Sequence, residues 1–163
     1  MTEPVSVCRG CRVQKRSCIF GVVSLVRTGP LTAVAHLVCP SMFEGGPSVA
    51  HGGWTAAVFD DVCGRLVGAM AGGAVTATLS VDYIRPVPIQ RDLQLFLEIT
   101  SHEGRKWTIA SSLRLMDSDA DLARGSGLWI EPRADHFERH EAWLRDTGLS
   151  SVDAPRTEMV NLD

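Results

Sequence analysis

The chain has no run of about 20 apolar residues, the length needed to cross a bilayer, so none of its 163 residues is expected in a membrane-spanning helix. It has no surplus of basic charge. Its 16 Lys and Arg face 19 Asp and Glu, for a formal net charge of −3, whereas a nucleic-acid binder carries a basic face. The start, Met1-Thr2-Glu3-Pro4, is not a basic region leading into an apolar stretch, so no secretory signal and a cytoplasmic location are expected. Five cysteines are an odd number without a compact even framework, which predicts reduced thiols rather than a disulfide scaffold. There is no internal repeat and no low-complexity segment. What remains is 45% hydrophobic and 21% charged residues, the composition of a globular domain long enough to bury a core.

Three segments are expected. Residues 1–17 read as irregular and basic, with Arg9, Arg12, Lys15 and Arg16 set among Cys8 and Cys11. Residues 18–131 form the main domain. Residues 132–163 hold a surface helix over 134–146 and a loose tail. Within the main domain, 18–26 and 32–39 read as two strands around a Gly29-Pro30 turn, and 40–48 as a loop. A long helix follows over 51–70, ended by Gly72-Gly73. Four strand-like runs come next, at 74–85, 93–100, 105–116 and 122–130. In the first of them Val75, Ala77, Leu79, Val81 and Tyr83 alternate with Thr76, Thr78, Ser80 and Asp82, which puts Thr76 on the polar face. Strands segregated from one long helix predict an α+β fold with an antiparallel sheet.

The helix is apolar on nearly every side, so it is expected to be buried, yet it carries Asp60, Asp61 and Arg65. Asp61 and Arg65 stand at i and i+4 with the acid first, the favourable order for an ion pair. Asp60 points about 100° away from Asp61, toward Ala56, Ala57, Gly64 and Val67, and finds no charge partner on its own helix. A carboxylate there needs compensation from outside the helix. It is either a functional group with a pKa raised by an apolar setting or one satisfied by backbone donors of a neighbouring strand. His51-Gly52-Gly53 at the helix start leaves backbone N–H groups unshielded. It is either an oxyanion-type donor site or simply a flexible helix end. Gly52 and Asp60 are eight residues apart, about 12 Å along a helix axis. One carbonyl cannot touch both, so a shared reaction requires two chains related by a two-fold axis.

The run from Phe43 to Gly53 followed by Asp60 resembles the hotdog-fold acyl-CoA thioesterases of the phenylacetate-pathway and acyl-thioesterase-superfamily type, in which a His-Gly-Gly precedes an Asp or Glu nine residues after the His. Val75 to Pro88, with its Arg85-Pro86 ending, is similar to the family's next strand, and Glu103-Gly104-Arg105-Lys106 to the turn before the following one. The resemblance covers roughly Cys18 to Ile130.

It implies a hotdog fold, a long central helix wrapped by a mainly antiparallel sheet of five to six strands, in homodimers or dimers of dimers. It also implies hydrolysis of an acyl-CoA thioester without a cofactor or metal. Asp60 would be general base or nucleophile, the Gly52 amide the oxyanion donor with His51 and Gly53 beside it, and Thr76 the group that places the water. Arg85, Arg105 and Lys106, with Arg91, are candidates for the phosphates of CoA, and Phe43 and Trp54 for the border of an acyl pocket. The chain departs from the family at two places. Many relatives have an Asn or Gln in the loop before His-Gly-Gly that touches the carbonyl or water; this chain offers Glu44, Gly45 and Gly46, so that substrate contact is unfilled or passes to Glu44. Cys8-Arg9-Gly10-Cys11 resembles a pair seen in some relatives, but with Cys18 and His36 or Cys39 its spacing is not that of a zinc knuckle. Alternatives are a hotdog enzyme acting on acyl carrier protein and a protein that binds acyl-CoA without turnover. The Asp–His arrangement of hydratases of this fold is not found.

Overall fold

The computed structural model describes Cys11 and residues 17–148. Most of the basic N-terminal segment, with Cys8, and the tail beyond Gly148 lie outside the described residues. Two strands open the fold, β1 (Val22–Arg27) and β2 (Thr32–Val38). A 3-10 turn (Ser41–Phe43) then leads into a small hairpin, β3 (Glu44–Gly46) and β4 (Val49–Ala50), where a plain loop was expected. Helix α1 (Gly52–Ala71) follows, then β5 (Val75–Tyr83), β6 (Asp92–Glu103), β7 (Lys106–Leu115), β8 (Asp121–Ile130) and a second helix, α2 (His136–Asp146).

β1, β2, β6, β7, β8 and β5 form one six-stranded sheet in that order, antiparallel throughout. α1 packs against β5, β7 and β8. The core lies between them. Leu93, Leu95, Leu97 and Ile99 from β6, Ile109 and Leu113 from β7 and Trp129 from β8 meet Val58, Phe59, Val62 and Leu66 from the helix. Each such side chain contributes about 1.5–3 kcal/mol by leaving water.

The helix starts and stops where its sequence says it should. The His51 ring accepts the Gly53 N–H, and Gly72 ends the helix with a left-handed φ of 81°, a conformation that costs glycine nothing. β8 presents Gly125 and Gly127 to the helix side, and both are space-makers. A Cβ at 125 would lie 2.4 Å from the Phe59 ring, and one at 127 would lie 2.5 Å from the Thr78 carbonyl oxygen.

The described residues fall into two compact units, one ending at Glu131 and the other beginning at Pro132. In the second, α2 buries none of its side chains, and Phe137 and Trp143 are exposed.

Candidate active site

Asp60 leaves α1 on its solvent side and is exposed. The Thr76 hydroxyl on β5 donates to its Oδ1 at 2.5 Å. The outside compensation that Asp60 needed is therefore a side-chain hydroxyl, not backbone donors of a strand. The apolar setting expected around it is not met within one chain.

That contact depends on a break in the β5 pattern. Strict alternation put Thr76 on the outer, polar face with Thr78, Ser80 and Asp82. Thr76 instead pairs with Trp129, Thr78 with Leu128 and Leu79 with Gly127. Two steps on β5 thus match one step on β8, and Ala77 is the extra residue of a bulge. The slip turns Thr76 to the helix side, with Leu79, Val81 and Tyr83, where its hydroxyl reaches Asp60.

Asp61, next to Asp60 on the helix, turns inward and is partly buried. Burial pushes the Asp61 carboxyl above the usual range. The Arg65 guanidinium, 3.3 Å away, opposes the shift, and the Asp60 charge adds to it. On the same helix, burial pushes the Cys63 thiol up to about 12, so it supplies no thiolate nucleophile.

At the helix N-terminus, the His51 ring Nδ1 accepts the Gly53 N–H at 2.9 Å. The His51 carbonyl accepts the N–H groups of Trp54 and Thr55, at 2.9 and 3.2 Å. Among the described residues the Gly52 N–H has no partner. Of the amides at His51-Gly52-Gly53, Gly52 is therefore the free donor: the His51 N–H donates to the Phe43 carbonyl and the Gly53 N–H to the histidine ring. Glu44, on β3, has Oε1 accepting the Ser48 N–H at 2.6 Å. It holds the turn in which Ser48 takes a left-handed φ of 59°. One residue escaped the sequence reading: the Tyr83 hydroxyl donates to the Gly52 carbonyl at 2.9 Å. Its only signal was its position, as the last helix-facing residue of β5.

The cations expected to gather for phosphates do not gather on one chain. Arg85 lies beyond the Tyr83 end of β5 and donates to the Asp121 carbonyl at 2.6 Å. Arg105 donates to the Glu131 carbonyl at 2.7 Å. Lys106 is exposed and pairs with Ile130, at the Val75 end of the sheet. Arg91 is exposed just before β6. Trp54 is core rather than pocket wall: 2% exposed, it donates its ring N–H to the Phe20 carbonyl at 3.2 Å. Phe43 packs on Phe20. Two described grooves, of about 490 and 390 Å³, include neither Asp60, Thr76 nor Gly52.

The two halves of the site thus sit at opposite ends of β5, Asp60 with Thr76 at one and Gly52 with Tyr83 at the other. β5 is also an edge strand with an open side.

Residues 48–114 match the sequence profile of the thioesterase superfamily. The chain is 31% identical over 88 residues to an acyl-coenzyme A thioesterase THEM4 from Xenopus laevis, a match covering 54% of this chain and 40% of that protein. It thus spans about two fifths of the length of that relative. Among solved structures, it superposes on the E. coli PaaI protein from the phenylacetic acid degradation operon with a TM-score of 0.59 at 14% identity, over 69% of this chain and 78% of that one. It superposes equally, with a TM-score of 0.59 at 13% identity, on a Streptococcus mutans protein solved bound to acetyl CoA, over 65% of this chain and 85% of that one. The shared architecture is the hotdog fold, an α+β arrangement of a 20-residue helix against a six-stranded antiparallel sheet.

Proposed function

We propose that this chain, whose residues 48–114 match the thioesterase superfamily profile, hydrolyses an acyl-CoA thioester to a free acid and CoA thiol at a site shared between two copies. The observation that carries the reading is the Asp60–Thr76 hydrogen bond beside an open strand edge, in the segment that matches the superfamily. Asp60 takes a proton from a water that attacks the thioester carbonyl, or attacks the carbonyl itself to give an acyl–Asp60 anhydride that a water then hydrolyses. Thr76 fixes the carboxylate and borders the path of the water. The C–S bond breaks, the acyl group leaves as the acid, and the sulfur leaves as the thiol once protonated. The negative charge that builds on the carbonyl oxygen meets the free Gly52 N–H of the second copy, at a helix N-terminus that favours it.

The open β5 edge supports the two-copy arrangement. Antiparallel pairing of β5 with itself must put like-facing residues opposite one another. A two-fold axis at Ser80 satisfies this, with Leu79 opposite Val81 and Thr78 opposite Asp82. The bulge then brings Thr76 opposite Tyr83 of the second copy, both on the helix side. That rotation sets Asp60 of one chain beside Gly52 of the other, which no rearrangement within one chain achieves across about 12 Å of helix. It also brings Arg85 of one copy toward the end of the sheet that carries Arg105 and Lys106 of the other, assembling cations for CoA phosphates.

A panel of acyl-CoA substrates with a free-thiol readout tests the reading, with Asp60→Asn as control. Turnover that falls about 100-fold or more in the variant supports it. An unchanged rate in the variant overturns it. Cleavage of acyl carrier protein thioesters alone would move the activity to that thiol, and acyl-CoA binding without turnover would make the protein a binder.

A further inference from the structure

The candidate oxyanion donor is set in a pair of glycines, which by themselves hold no fixed direction. Two consecutive peptide planes need restraint. The first, between His51 and Gly52, carries the free N–H, and its carbonyl is held by the Trp54 and Thr55 amides. The second, between Gly52 and Gly53, is gripped from both sides. Its N–H is taken by the His51 ring, and its carbonyl accepts the Tyr83 hydroxyl. The Tyr83 ring also lies along the bare face of Gly52, 3.5 Å from where a Cβ would stand. Tyr83 is 58% exposed in the single chain, and its hydroxyl bond to the Gly52 carbonyl anchors it there.

We propose that Tyr83 is a positioning residue: with the His51 ring, it clamps the Gly52–Gly53 peptide plane, which removes the rotational freedom of Gly52 and so keeps the adjoining His51–Gly52 plane, with its free N–H, aimed at the thioester oxygen. The inference rests on the thioesterase reading for its purpose, but the clamp itself can be tested without turnover. The His51 side of the clamp requires an unprotonated Nδ1, because a protonated ring nitrogen cannot accept the Gly53 N–H. The Tyr83 side works through the same peptide unit. A donor on the carbonyl polarises the N–H behind it and strengthens its bond to the histidine.

Tyr83→Phe keeps the ring and removes the hydroxyl. On the acyl-CoA turned over fastest by the full chain, kcat should fall about tenfold, the loss expected from misaiming one donor, while KM stays within about twofold. In amide NMR spectra of the free protein, the Gly52 and Gly53 signals should shift, and the Gly53 amide should exchange faster with solvent. Unchanged glycine signals overturn the clamp. A rise in KM with kcat intact also overturns it, because Tyr83 would then be a substrate contact. If the wild-type chain cleaves no acyl-CoA, the thioesterase reading fails, and the glycine signals still decide the clamp.

Discussion

At the scale of single residues, the Asp60 carboxylate and the Thr76 hydroxyl are joined by a hydrogen bond and act as one unit in the proposed site. Thr76→Val, which keeps the shape and loses the donor, should lower kcat about tenfold. Thr76→Ser should stay within about threefold of wild type, because only the hydroxyl is needed; equal rates in both variants would remove Thr76 from the site. The Asp121 carboxylate plays a structural part. It accepts from Arg114 and Arg124, each at 2.6 Å, and these hydrogen bonds hold its carboxyl below the ordinary 3.8 against a smaller opposing effect of burial. A lowered folded-state pKa means that the unfolded chain binds more protons as pH falls. The stabilisation is therefore complete above 3.8 and is lost as pH falls through the folded pKa. Asp121→Asn should cost about 1–3 kcal/mol at neutral pH, read by denaturant melts, and should flatten the acid limb of the stability curve. Asp61 has the opposite sign. Its raised pKa means the folded chain holds the proton more tightly, so its contribution declines as pH rises from 3.8 through the raised value.

At the scale of elements, the helix and the strand sequence could be read directly. The apolar helix between a His-Gly-Gly start and a Gly-Gly stop, and the alternation along β6 and β7, follow from side-chain period and backbone propensity. The direction of Thr76 could not be read. Period-2 alternation has no way to announce a one-residue slip, which is decided by the pairing of β5 with β8. Nor could the burial of Asp61 be read in preference to Asp60, because a helical wheel gives directions but not which neighbours fill them. Tyr83 went unread for the same reason: its partner is a carbonyl 31 residues away in sequence. Gly125 of β8 lets α1 sit close above the sheet at Phe59. Gly125→Ala would drive a methyl into Phe59, the neighbour of Asp60. It should destabilise the protein by about 1–3 kcal/mol and lower kcat by lifting Asp60 from Thr76, although it touches neither. Thermal melts and turnover on one preparation check both effects.

At the scale of the whole molecule, the proposed two-fold axis makes claims about one strand. Ser80→Cys places two thiols directly opposite each other, within the span that a disulfide bridges. Under mild oxidation it should give a covalent pair visible on a non-reducing gel, while Ser112→Cys, away from the edge, should not. Ser80→Pro should remove the pairing, because proline cannot donate to a ladder, and should shift sedimentation to the single chain. Co-expressing Asp60→Asn with a chain altered at Gly52 should restore a fraction of the activity, since one of the two sites in a mixed pair is intact. The separation of Gly52 from Asp60 also has a dosage consequence. In the proposed pair each site is split between copies, so turnover per chain is predicted not to be a constant of the protein. It climbs with protein concentration, half-maximal near the dissociation constant of the pair, and then levels off. Below that concentration the protein falls silent by dilution alone, so its own abundance acts as its first regulator.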